Sequence, residues 1–278
     1  MLTSPPKDIR ENIARAKGYL HRGELPRALA AMSAALRGCI GVKMFKQARF
    51  ELSIHFDEFL TDLVRHPGMQ PLLDPGNTGR PRKIPYQPGK EGALAAVLEG
   101  LAKILEEAEA AKKRAALQSQ ENRKQELMDT GTERILKGDI SRGRAYLKRA
   151  AAEFGHEPGV YRTVALRFQE TKQFADAAEM FEHAMENEPK EPDSYTQAIN
   201  CYLQLHEYEK AEAVYLKILR QFGGHPTTFG RMAKLYILSH QRVKAEDFAV
   251  RTLQLDPNQP DALQVMGVLN KFRSGAAS

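Results

Sequence analysis

Over the second half of this chain the same residue types return every 34 positions, and that interval restricts its possible folds more than any other feature. Ala177, Ala211 and Ala245 mark one register, Tyr161, Tyr195 and Phe229 a second, and Phe168, Tyr202 and Tyr236 a third. Pro189 and Pro257 mark a fourth, with Gly223 midway between them. Registers that share one period mean that a single supersecondary unit is repeated. A unit too small to bury its own apolar face must stack on its neighbours to do so.

Within the unit 158–191, Tyr161, Val164, Ala165 and Phe168 recur at helical spacing, and Ala177, Phe181 and Ala184 do the same after a break. Small Ala165 and Ala177 allow two helices to approach closely, Phe168 and Phe181 fill the space beside them, and Pro189 stops the second helix. Units 192–225 and 226–259 repeat the plan, with Ile199 standing where Ala165 and Ala233 are small. This pattern resembles the tetratricopeptide-repeat (TPR) family, whose unit is a 34-residue helix–turn–helix. The resemblance is strong over 158–259. It extends more weakly over 124–157, where Arg134 takes the slot of Phe168, and over the capping helix Asp261 to Phe272. The expected fold is all-α: a superhelical TPR solenoid over 124–278 behind an N-terminal helical bundle.

Residues 1–110 are expected to hold that bundle. Ala16, Tyr19, Gly23-Glu24-Leu25, Ala28 and Met32 echo the repeat and predict one TPR-like pair over 9–42. Phe45, Leu52, Phe56, Phe59 and Leu63 trace one face of a further helix, and Leu94 to Leu105 another. Between them His66–Lys90 carries six prolines and four glycines and reads as a solvated linker. Residues 111–123 read as an exposed connecting helix. The whole net charge of +6 falls within residues 1–91, including the run Arg80-Pro81-Arg82-Lys83. That bias raises nucleic-acid binding as an alternative, with Tyr86 the lone aromatic available for stacking, and a subunit of a multi-protein complex as another.

No motif for catalysis, metal or cofactor binding is present. Gly89-Lys90-Glu91 lacks the upstream glycine and the hydroxyl of a phosphate loop, and neither His156-Glu157 nor His206-Glu207 has a second histidine at ligand spacing. A non-enzymatic scaffold is expected. Two well-separated cysteines, Cys39 and Cys201, and the lack of a signal-like or membrane-spanning apolar run point to a cytoplasmic protein. In the resembled fold the first helix of each unit lines a concave groove. By spacing, Arg162, Gln197, Asn200, Arg231 and Lys234 face it. Guanidinium, ammonium and carboxamide groups suit a protein or peptide ligand with acidic or carboxylate groups. TPR domains that hold C-terminal carboxylates use lysine–asparagine and lysine–arginine arrangements. Asn200 and Arg231 look similar, and Leu166 and Thr227 depart from that pattern.

Overall fold

The computed structural model describes residues 2–76 and 78–275, so positions 276–278 of the expected array lie outside it. Among the described residues there are thirteen α-helices, one 3-10 turn and no β-strand. The chain divides into two compact units, Met1–Gln118 and Ser119–Ser278. One 46-residue helix, α5 (Glu91–Leu136), runs through the boundary, and every residue from Glu106 to Arg123 on it is exposed.

The second unit is the repeat array. The end of α5 is followed by α6 (Ile140–Phe154), α7 (Val160–Glu170), α8 (Phe174–Asn187), α9 (Pro192–Gln204), α10 (Tyr208–Phe222), α11 (Pro226–Leu238), α12 (Arg242–Leu255) and α13 (Pro260–Gly275). Each helix from α6 to α13 packs on the next. Ala177, Ala211 and Ala245, one per unit, are all fully buried, as are Val164, Ala198 and Met232 at matching places on the facing helices. In the weakest repeat, glycines take over the close approach. A Cβ on Gly143 would lie 2.6 Å from the Gly131 carbonyl oxygen, so no side chain fits between α5 and α6 there. Arg134, in the slot of Phe168, lays its guanidinium 5.2 Å from the Tyr146 ring and reaches Asp139 at 3.3 Å.

The turn inside each repeat is built the same way. After α7 the Gln173 amide donates to the Phe168 carbonyl (2.8 Å) and the Lys172 amide to the Gln169 carbonyl (3.0 Å). This pair of bonds ends a helix through one left-handed residue. That residue is Lys172 (φ 59°), His206 (φ 57°) and His240 (φ 60°), again 34 apart, preceded at the same interval by Gly138 (φ 90°).

The first unit holds α1 (Lys7–His21), α2 (Leu25–Gly38), α3 (Lys46–Arg65), the 3-10 turn Pro67–Met69, the one-turn α4 (Gln70–Leu73) and the start of α5. Gly23 (φ 75°) closes the α1–α2 turn with the same two bonds as the repeats. The core gathers Ala16, Leu29, Met32, Phe56, Phe59 and Leu98. The expected solvated linker at 66–90 is corrected. Met69 and Leu73 are buried, Ile84 and Tyr86 pack against the core, and the Arg82 amide donates to the Leu73 carbonyl at 2.9 Å. Four side chains spread over 18 positions anchor this proline-rich segment, although no single period runs through all four.

Candidate functional groove

On the second unit, α9, α10, α11 and the start of α13 enclose a groove of about 630 Å³. From α9 come Thr196, Ile199, Asn200 and Leu203; α11 supplies Arg231, Lys234, Leu235 and Leu238; Asp261 closes it from α13. Tyr215, Ile218 and Phe222 of α10 form an apolar wall. Of these, Phe222 and Leu238 remain 42% and 49% exposed, so apolar area is left for a ligand to cover. Each would contribute about 1 kcal/mol if its remaining half were buried.

The five residues named from spacing separate into two groups. Asn200, Arg231 and Lys234 line this groove together, whereas Arg162 and Gln197 do not. Gln197 accepts a hydrogen bond from Gln169 Nε2 at 3.0 Å and from Asn200 Nδ2 at 3.5 Å. Arg162 lies 3.8 Å from Glu191 and 4.0 Å from Asp193, at the foot of α9. Lys234 reaches Asp261 at 2.5 Å. Burial pulls the Asp261 carboxyl upward, but hydrogen bonds from Lys234 and Gln259 and the charge of Arg231 outweigh it, and it titrates below its ordinary value. Arg231 is exposed and has no carboxylate within 4 Å among the described residues. Burial lifts the Tyr215 phenol to about 12, against the smaller opposing pull of Arg231, so a neutral hydroxyl faces the groove.

Sequence spacing missed the α10 wall because it drew the groove from first helices alone. A signal was present: Tyr215, Ile218 and Phe222 continue the apolar stripe of α10 past the turns that Ala211 packs. Ile199, the bulky departure from the repeat, is a groove residue. Gly230, next to Arg231 on α11, lies against Gln259, which a Cβ would meet at 2.5 Å.

The basic run of the first unit does not form an aromatic-studded surface. Tyr86 sits 5.2 Å from the Phe56 ring, and its hydroxyl donates to Glu91 at 2.9 Å. Among the described residues, no three His, Cys, Asp or Glu side chains gather as a metal site would require, and no helix is long and apolar enough to cross a membrane.

A tetratricopeptide-repeat family model matches residues 169–227, which span the end of α7 to the start of α11 and include most of the groove. No curated protein sequence is significantly similar to the chain. Among solved structures, MamA from Desulfovibrio magneticus RS-1 (residues 41 to end) is 14% identical over 55% of this chain and 86% of its own, with a TM-score of 0.40. PilF of Pseudomonas aeruginosa is 16% identical over 94% and 97%, with a TM-score of 0.35. The C-terminal part of a TPR repeat-containing protein from Cytophaga hutchinsonii is 14% identical over 92% and 96%, at 0.39. Scores this low leave those three structures without bearing on function. The 34-residue period, the matching turns and the family match at 169–227 agree that this part of the chain is built of tetratricopeptide repeats.

Proposed function

We propose that this protein is a non-enzymatic, cytoplasmic scaffold that binds a partner protein through an apolar peptide segment bearing an acidic group, seated in the groove between α9, α10 and α11. Tetratricopeptide repeats generally serve protein–protein interaction. The observation that carries the finer reading is the juxtaposition of half-exposed Phe222 and Leu238 with the exposed guanidinium of Arg231 and the amide of Asn200. The apolar wall supplies affinity, Arg231 can fork onto a carboxylate, and Asn200 can meet a peptide group with both a donor and an acceptor.

The test is a peptide array that varies apolar and acidic residues, followed by titration of the best sequence against three proteins: the parent, Arg231→Glu and Lys217→Glu. Lys217 is an exposed residue of α10 outside the groove. Arg231→Glu should weaken binding at least about tenfold, equivalent to about 1.4 kcal/mol, while Lys217→Glu binds as the parent does. Equal affinity in all three would remove the groove as the binding surface.

A further inference from the structure

A second cleft, of about 720 Å³, lies in the first unit and has no part in the groove reading. It is formed by the turn from Cys39 to Met44, the first half of α3, and the segment from Tyr86 to Ala93 that leads into α5. Its lining is mixed: Val42 and the Tyr86 ring are half-buried, Ile40 is exposed, and Met44, Leu52 and Phe56 lie buried behind them. Its rim is cationic. Lys43, Arg49 and Lys90 line it, all are exposed, and none has a carboxylate within 4 Å among the described residues.

Several other cations of the unit are held in ion pairs, whereas these three border one concavity. Lys17 meets Glu58 at 2.6 Å, Arg22 and Arg27 share Glu24, and Arg37 meets Glu99 at 2.6 Å. Glu91 is the acidic residue of the cleft, but its Oε1 already accepts hydrogen bonds from the Tyr86 hydroxyl (2.9 Å) and the Gly89 amide (3.0 Å). Three positive charges against one negative leave an excess over a concave surface of mixed polarity. A low-dielectric concavity focuses such a field, and the volume is in the range that encloses a small organic ligand.

We propose that this cleft binds a ligand with one anionic head, a carboxylate or phosphate, and an apolar body. The head sits among Lys43, Arg49 and Lys90 and the body lies against Ile40, Val42 and the Tyr86 ring. Such chemistry occurs in a free acyl or alkyl anion and in the headgroup and chain of an acidic lipid, and the two sources can be separated.

Cys39 supplies the readout. Cys39 lines the cleft and is half-buried, whereas Cys201 is fully buried in the other unit, so a maleimide adds at one site in the folded chain. Labelling of the full-length protein would be followed by intact mass in mildly alkaline buffer with four additions: decanoate, decyl phosphate, uncharged decanol, and vesicles of phosphatidylglycerol. Each would be repeated on the Lys43→Glu/Lys90→Glu double variant, whose exposed side chains leave the fold intact by circular dichroism. Either anion, at about nine times its dissociation constant, should slow labelling roughly tenfold in the parent and hardly at all in the double variant. Protection by decanoate or decyl phosphate identifies the free anion as sufficient. Protection by vesicles alone, lost in the double variant, assigns the head to a lipid surface. Absence of protection in every arm, or protection by decanol equal to that by the anions, or protection that survives in the double variant, would overturn the proposal.

Discussion

Replacing Lys172 by glycine should stabilise the protein, although it removes a side chain and shortens no contact. Lys172 occupies the left-handed region at φ 59° and is exposed. A residue with a Cβ sits there at a cost of about 1–2 kcal/mol, which glycine avoids. Glycine in turn loses about 0.5–1 kcal/mol of extra chain entropy on folding. The difference leaves a gain of about 0.5–1 kcal/mol. His240 (φ 60°) is the same position two units later, so His240→Gly should give a like gain, and the double variant about the sum, because the sites are 68 residues apart and share no neighbour. His206 is a poorer choice, since its ring also meets the Tyr208 hydroxyl at 3.0 Å. Thermal unfolding by far-UV circular dichroism checks this, at roughly 2–4 °C per kcal/mol for a chain of this size. Lys172→Ala is the control, because alanine retains the Cβ and should melt within about 0.5 kcal/mol of the parent. If Lys172→Gly melts no higher than Lys172→Ala, backbone strain at the repeat turn is not what limits stability there.

Two further substitutions probe packing and charge. Gly143→Ala should destabilise by about 1–3 kcal/mol even though alanine is the better helix former, because its Cβ would meet backbone atoms at 2.6 and 2.9 Å that cannot swing aside; a stabilised variant in urea unfolding would refute the close approach of α5 and α6. Hydrogen bonds from Arg37, and then from Ser33, hold the Glu99 carboxyl at about 2, against an ordinary 4.5. A carboxyl whose value is depressed by folding stabilises above its unfolded value and loses that contribution as pH falls toward the folded one. The parent should therefore lose stability between those two values, and Glu99→Gln should flatten that part of the curve; parallel curves would show that the Arg37–Glu99 pair is not coupled to folding.

The repeat was legible because its information is local. Alanines at 177, 211 and 245 lie at helix crossings, where only a small side chain fits, and a single period exposes all three. The repeat turns were half legible: Gly23 and Gly138 announce a left-handed residue, while Lys172, His206 and His240 adopt the same conformation without the glycine that would have revealed it. The groove was legible from α9 and α11, which follow the first-helix rule, and not from α10, whose last two turns extend the wall. Least legible was the segment 66–90. Met69, Leu73, Ile84 and Tyr86 are spaced 4, 11 and 2 apart, and only the tertiary partners they meet, Phe56 among them, tell an anchored strap from a solvated one. The pairing of Arg162 with Glu191 and Asp193 was hidden for a related reason, since charges 29 and 31 residues apart meet only when one repeat stacks on the next.

The charge arithmetic of the groove bears on what it can hold. Spacing alone set three cations, Arg162, Arg231 and Lys234, toward acidic groups of a ligand, and Arg162 lies outside this groove. The capping helix changes that count, because α13 brings an ionised Asp261 to within 2.5 Å of Lys234. In the proposed reading this leaves one cation, Arg231, to be answered by the ligand. A peptide with a single acidic group beside apolar side chains satisfies Arg231 and covers Phe222 and Leu238. A second acidic group placed toward α13 would meet Asp261 and would have to draw Lys234 away from it, giving up one ion pair to make another. In the proposed reading Asp261 of α13 therefore favours a ligand of low charge over a polyacidic one.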